Sequence, residues 1–266
     1  MIPIHDSNPT RRTAWVTLAL IAANIVVFLV WQPTFGTQGE QQAFFYCNAE
    51  IPWEVAHRVN LASGGAAARS ALNAEFRQPA GREIQLYLQR KCPNKSWLAS
   101  VFVTMFLHGG WLHIAGNMLF LWVFGNNVED RLGRLVFIGF YLLGGLAAML
   151  LQLGFDASSA LPTVGASGAI AAVLGAYLVL FPRARVTTLV VFFFITWIEL
   201  PAAIVLVGWF VLQIFSQVGQ LGTDVAGGVA YWAHIGGFAF GAAVAWLFFR
   251  GRSASGASIP PRPDYV

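Results

Sequence analysis

The sequence predicts an all-α polytopic membrane protein with six transmembrane helices. Three observations predict it. The chain of 266 residues is 57% hydrophobic and only 11% charged, a balance foreign to ordinary water-soluble domains. Several of its apolar runs approach the roughly 20 residues that cross a bilayer. Its short-loop arginines all fall on one side of the topology that six spans generate. The formal charge of +4 therefore follows from topology and calls for no nucleic-acid partner. Cys47 and Cys92 share one long loop, with no C-x-x-C or Cys/His zinc spacing.

In chain order, residues 1–12 are polar, end in Arg11-Arg12 and read as a cytoplasmic tail. Residues 13–31 are apolar, long for a signal-peptide core and followed by no clear small-residue cleavage site, so they read as a retained first span. Residues 32–100 form a long external loop with weak helical patterning over 51–72 and 82–88. Within it, 96–107 is apolar but stopped by His108-Gly109-Gly110, and is expected to dip partly into the membrane. Residues 111–124 and 135–155 are the second and third spans. Ser167 opens the fourth, which ends at Phe181-Pro182-Arg183. The run 186–195 is too short to cross and is expected to lie at the interface. Residues 201–215 are the core of the fifth span and 230–249 the sixth, closing a membrane domain over 13–249. The Ser/Gly/Pro-rich residues 250–266 are expected to be a disordered tail.

Six spans put both termini on one side. Arg11, Arg12, Arg131, Arg134, Arg183, Arg185, Arg250, Arg252 and Arg262 share that side, while loops 156–166 and 216–229 hold no Lys or Arg. The positive-inside rule then makes both termini cytoplasmic, with a bacterial plasma membrane as the expected location.

Ionisable groups inside spans are expensive, and each is a functional hypothesis. His113 lies just inside the second span and His234 just inside the sixth. The second, fourth and sixth spans all run inward, so His113, Ser167 and His234 fall at similar depth in the outer half of the bilayer. Ser167 stands in Gly165-Ala166-Ser167-Gly168 at a helix start, where unpaired amides and the positive dipole end suit an oxyanion. Ser167, Ala171 and Gly175 recur every four residues, as do Gly237, Gly241 and Ala245. Small residues at this spacing allow close helix packing, which would bring His234 to Ser167. A serine hydroxyl needs such a base to become a nucleophile. No Asp or Glu lies within a span, so the pattern reads as a Ser/His dyad without a third member. His113 and Asn117 are one turn apart on a face, and both can donate to an oxyanion. His108, five residues before His113, is off that face and is expected to tie down the loop. Each residue also has a plainer reading: a helix cap for Ser167, interhelical hydrogen bonds for the histidines and Asn117, packing for the glycines. A metal site from His108, His113 and His234 lacks a fourth ligand in the spans.

Together, His108-Gly-Gly-Trp-Leu-His113-Ile-Ala-Gly-Asn117, Glu129-Asp-Arg131-Leu-Gly133, Gly165-Ala-Ser167-Gly168 and Ala233-His234-Ile-Gly-Gly237 resemble the rhomboid intramembrane serine proteases. The resemblance implies a six-helix rhomboid-like bundle that cleaves transmembrane protein substrates within the lipid bilayer and needs no cofactor. It implies Ser167 as nucleophile and His234 as base. His113, Asn117 and the Ser167 amide would bind the oxyanion. Glu129 and Arg131 match the family's structural motif, expected to tie the cytoplasmic loop. The fifth span and loop 216–229 would be the substrate gate. Two positions depart from the family. Ala171 stands where many members place an aromatic on the base, and Trp97-Leu98 stands where many carry Trp-Arg. The first leaves open what orients His234. The outer-face position of Cys47 and Cys92 permits a disulfide between them. The rival functions are a non-catalytic rhomboid-like chaperone or scaffold, which would typically lack the Ser or the His, and a small transporter, which would spread polar groups through both leaflets.

Overall fold

The computed structural model describes residues 2–76, 80–191, 195–220 and 230–251. Six apolar helices form the bundle. They are α1 (Trp15–Val26, continued as a π-helical turn Val27–Trp31), α7 (Trp111–Leu132), α8 (Arg134–Asp156), α9 (Ser167–Leu180), α10 (Ala202–Gln220) and α11 (Tyr231–Phe248). By length and composition α8 and α11 suffice to cross a membrane, whereas the apolar helices at 15–31, 167–180 and 202–215 are shorter. The bundle is all-helical, as its composition requires. In a bilayer only segments that satisfy their own backbone hydrogen bonds can face lipid. The exposed side of α8 carries Leu135, Leu143 and Leu150, and that of α11 carries Trp246 and Leu247.

The central helix is α9. Every residue from Gly168 to Tyr177 is buried. Its neighbour α11 approaches backbone to backbone. A Cβ on Gly241 would stand 1.8 Å from the Ala172 carbonyl oxygen, one on Gly237 2.1 Å from that of Gly168, and one on Gly175 2.0 Å from that of Phe238. The two small-residue faces read from the sequence therefore meet. Between α7 and α8, Gly133 sits at φ 83°, a left-handed conformation that ends one helix and starts the next within a single residue.

The long loop is more structured than its patterning suggests. It holds α2 (Gln38–Asn48), α3 (Pro52–His57), α4 (Gly65–Phe76) and α5 (Ala80–Lys91), packed around Tyr46, Ile51, Trp53, Leu61, Leu72 and Leu88. Cys47 and Cys92 have their sulfurs 2.10 Å apart and their Cα atoms 5.6 Å apart. Lys95 is buried beside Glu54 at 2.7 Å and donates to the Tyr46 carbonyl at 2.9 Å. These contacts anchor the segment next to Trp97-Leu98. The cap they form is fastened to the loop before α9. The Trp53 N–H bonds to the Ser159 carbonyl, the Thr163 N–H to that of Glu50, and Glu75 accepts from the Ser159 hydroxyl and the Ala160 N–H. The expected membrane dip is a short helix, α6 (Trp97–Val103), with a 3₁₀ turn (Thr104–Phe106), bent 78° from α7.

The far side of the bundle carries strands. The apolar run expected at the interface contributes to an antiparallel pair, β2 (Arg185–Val191) and β3 (Ile195–Pro201), rich in Val, Thr, Ile and Trp, which favour the pleat. The polar N-terminal segment contributes a strand as well. Strand β1 (Ile2–Asp6) adds antiparallel to β2 and completes a three-stranded sheet in the order β1-β2-β3. It is pinned by Asp6, 4% exposed, which accepts from the Tyr177 hydroxyl and the Asn127 amide, both at 2.6 Å. The expected disordered tail lies outside the described residues beyond Gly251, and so does most of the expected gate loop.

Candidate active site

Ser167 is the first residue of α9. Gly165, two residues earlier, sits at φ 134°, which a side chain would strain. Its N–H bonds to the Thr104 carbonyl at 3.0 Å, and the Thr104 hydroxyl donates to the Thr163 carbonyl. The turn into α9 is thus held by the element that bends away from α7. The first intrahelical bond runs from the Ile170 N–H to the Ala166 carbonyl, so the amides of Ser167, Gly168 and Ala169 lack helical acceptors.

His234 lies in the first turn of α11. Its Nε2 is 2.7 Å from Ser167 Oγ, and its Nδ1 is 2.8 Å from Gln213 Oε1 on α10. Trp209 tilts over the ring at 5.8 Å between centroids, and Tyr231 meets it edge-on at 6.2 Å. These α10 and α11 side chains occupy the surroundings of the imidazole that Ala171 leaves without an aromatic.

His113 accepts the Gly109 N–H on Nδ1 at 3.2 Å, which assigns its ring proton to Nε2. That nitrogen faces Gly165. A Cβ there would stand 2.9 Å from His113 Nε2 and 3.3 Å from Ser167 Oγ, so only a glycine leaves this space open. Asn117, one turn further along α7, is 8% exposed, and its Nδ2 has no hydrogen-bond partner among the described residues. A buried donor without an acceptor costs about 1–3 kcal/mol. His108 is fully enclosed and touches the same group, its ring edge-on to His113 at 5.2 Å. Its main-chain N–H and C=O are both bonded to the Gln32 side chain at 2.8 Å. The loop is therefore tied through Gln32, a residue the sequence reading passed over.

A cavity of about 40 Å³ adjoins Ser167, lined by Glu50, Thr104, Gln152 and Thr163 together with Met105 and Met149. That volume accommodates one to a few waters among polar partners. Burial pushes the Glu50 carboxyl up to about 7, against the opposing pull of Thr163 and Lys95. Gly168 and Gly237 serve the packing behind the site, Gly168 where a Cβ would meet Ala148 of α8 at 2.6 Å and Gly237 where α11 touches α9.

Glu129 and Arg131 lie away from this cluster, and their side chains reach the ends of other helices. Glu129 accepts from the Val16 N–H at 3.1 Å, the Thr17 N–H at 2.7 Å and the Thr17 hydroxyl at 2.8 Å, capping α1. Arg131 donates to the Phe249 carbonyl at 3.0 Å, the residue that caps the C-terminus of α11.

Residues 95–251 match the Rhomboid domain. The chain belongs to the rhomboid family. It is similar to Rhomboid protein 1, mitochondrial, of Saccharomyces cerevisiae, 32% identical over 109 residues that cover 40% of this chain and 32% of that protein. It is similar to Presenilin-associated rhomboid-like protein A, mitochondrial, of Danio rerio, 29% identical over 170 residues covering 60% of this chain and 40% of that one. Rhomboid-like protein 11, chloroplastic, of Arabidopsis thaliana is 28% identical over 179 residues, covering 64% of this chain and 58% of that one. The chain spans less than half the length of the first two relatives.

This rhomboid is an integral, multi-pass membrane protein. The match begins at Lys95 and takes in every quoted motif, but not the cap helices α2–α5. Gln213 is inside the matched segment, and no motif or shared helix face in the sequence singles it out. Its signal was modest: it is the only side-chain amide in the apolar run 201–215.

Proposed function

We propose that this rhomboid is an intramembrane serine endopeptidase that cleaves transmembrane protein substrates with a Ser167/His234 dyad. The observation that carries the reading is the 2.7 Å approach of Ser167 Oγ to His234 Nε2. In the first step His234 Nε2 takes the hydroxyl proton while Oγ attacks the scissile carbonyl carbon. The carbonyl π pair moves onto oxygen. The Nε2–H of His113, the Nδ2–H of Asn117 and the free Ser167 amide are the donors for that oxyanion. Collapse expels the amine, which takes the proton back from His234. Water then attacks the acyl-serine with His234 again as base, and the cavity beside Ser167 offers room for that water.

The unpartnered Nδ2 of Asn117 supports the oxyanion role, because a donor without an acceptor is a cost unless something arrives to accept from it. A disulfide between Cys47 and Cys92 closes the cap in this reading, and it places the cap on the oxidising side. Both termini then lie on the arginine-rich side, with six crossings and a bacterial plasma membrane as the proposed setting. Substrate is proposed to enter past α10. It should carry a helix-weakening Gly or Pro near the scissile bond, since a peptide bond inside an α-helix is hydrogen-bonded and shielded.

Fluorophosphonate labelling of the purified full chain in detergent tests the dyad. Wild-type protein should be labelled at Ser167, and Ser167→Ala and His234→Ala should take up no label while staying folded, because the two residues act as a unit. Wild-type protein that resists labelling would favour the non-catalytic chaperone or scaffold, and labelling that survives in either variant would rule out the pair.

A further inference from the structure

His234 uses both ring nitrogens. Nε2 faces the Ser167 hydroxyl at 2.7 Å, and Nδ1 faces Gln213 Oε1 at 2.8 Å. A neutral imidazole carries one proton, and the two tautomers are not equivalent here. With the proton on Nδ1, Nε2 has the lone pair that accepts from serine. With the proton on Nε2, the ring can only donate toward Oγ and cannot act as base. An acceptor at Nδ1 selects the first form. In Ser-His-Asp enzymes a buried carboxylate does this. Here the spans supply no carboxylate, and the position is filled by an amide carbonyl.

We propose that Gln213 is the positioning residue of the base, fixing the Nδ1-protonated tautomer of His234 and making a competent dyad depend on the docking of α10.

The second half of this proposal follows from how α10 is held. Among the described side chains of α10, the buried ones, Ala202, Val205 and Leu206, lie in its first two turns. Beyond them Val211, Leu212, Ile214 and Phe215 face outward. The inward attachments at this level include Phe210 stacked on Phe238 at 4.4 Å, Trp209 against His234, Phe238 and Phe120, and the Gln213 bond itself. An outward tilt of this end of α10 would draw the carbonyl from Nδ1 before disturbing the α9–α11 contact that carries Ser167 and His234. The amide also differs from a carboxylate in kind. It orients the ring but brings no negative charge to stabilise the imidazolium. The polarity at Nδ1 is therefore set by a neutral group, in keeping with a membrane interior where a lone charge is costly.

The inference rests on the dyad reading, and one set of variants separates the two. The rate of fluorophosphonate labelling at Ser167 is measured for full-length wild type, Gln213→Leu and Gln213→Glu across pH 5 to 9, alongside thermal unfolding. Gln213→Leu removes the acceptor and keeps an apolar side chain of similar size. It should label at least about 10-fold more slowly with near wild-type melting, within the roughly 10⁴-fold loss that follows tautomer reversal in a triad. Gln213→Glu puts a carboxylate beside Nδ1 and should move the acid limb of the rate profile to higher pH by about one pH unit or more, since an adjacent opposite charge favours the protonated ring. A residue that merely packs would move neither the limb nor the rate in folded protein. If Gln213→Leu melts early, the acid limb of Gln213→Glu decides, because labelling reads only the folded fraction. Labelled wild type with both variants matching it in rate and limb overturns the role of Gln213 alone. Wild type without label at Ser167 overturns the dyad and this inference together.

Discussion

Replacing Gly241 by alanine adds one methyl group at the most crowded glycine among the described residues. That methyl would stand 1.8 Å from the Ala172 carbonyl oxygen, 2.5 Å from its carbon and 2.7 Å from Cα. All three are backbone atoms of α9, so no rotamer change relieves the clash. The helices must separate or rotate until the contact opens to about 3.0 Å, a displacement of roughly 1.2 Å in a densely packed interior. Overpacking of this kind typically costs about 1–3 kcal/mol. The chemical cost should be larger. His234 stands less than two turns from Gly241 on the same helix, and its 2.7 Å bond to Ser167 crosses the interface being pushed apart. A rigid shift directed along that bond would stretch it to roughly 4 Å, beyond hydrogen-bond range. The control is Gly139→Ala on α8, where a Cβ meets no atom within 4 Å. Its effect should be neutral or slightly stabilising, since alanine is the better helix former by about 1 kcal/mol. The assay is the rate of fluorophosphonate labelling together with thermal unfolding of both variants. Gly241→Ala should melt earlier and lose most of its labelling. Wild-type melting and labelling in Gly241→Ala would refute the close approach of α9 and α11 as the device that assembles the site.

Three further outcomes are expected. His113→Ala and Asn117→Ala should each lower kcat by about 10²–10³-fold with little change in melting, and early melting with kcat retained in the folded fraction would reassign both to structure. Glu50 titrates in the folded state near 7 against an ordinary value of 4.5, with Lys95, Glu54, Asp156 and Thr163 around it. Its raised value means that the stability linked to Glu50 is fully present below 4.5 and is lost as pH climbs through 7, by about 3 kcal/mol at roughly 1.4 kcal/mol per pH unit. Glu50→Gln should flatten the decline in melting temperature between pH 5 and pH 8, and an unchanged decline would assign it to other groups. Cys47→Ser opens a cross-link of sequence separation 45 and should cost the cap about 4 kcal/mol in the chain-entropy account, read as faster proteolysis of residues 38–91; two freely alkylated thiols in the native wild type would remove the premise.

The amino-acid sequence by itself determined the class and much of the site. A chain with 57% hydrophobic residues in runs near bilayer length can satisfy its backbone only as helices, so the bundle follows from composition. The four-residue recurrence of small side chains on α9 and α11 is local and periodic, and it was enough to bring Ser167 toward His234. What the tertiary structure decided is pairing across long separations. The antiparallel pair of β2 and β3 has an apolar run that hydropathy cannot distinguish from a short helix, and its partner β1 lies more than 170 residues away in the chain. Glu129 reads as part of a motif, but only the fold shows that it caps α1 from α7. The same holds for His234. In the sequence Gln213 is one amide in an apolar run, 21 residues from His234. Which nitrogen it meets depends on the crossing of α10 over α11, and no local periodicity encodes that crossing. Hydrophobic burial is non-directional, so patterning can specify which faces turn inward. Hydrogen bonds are directional, and the partners they choose are fixed only when the helices have packed.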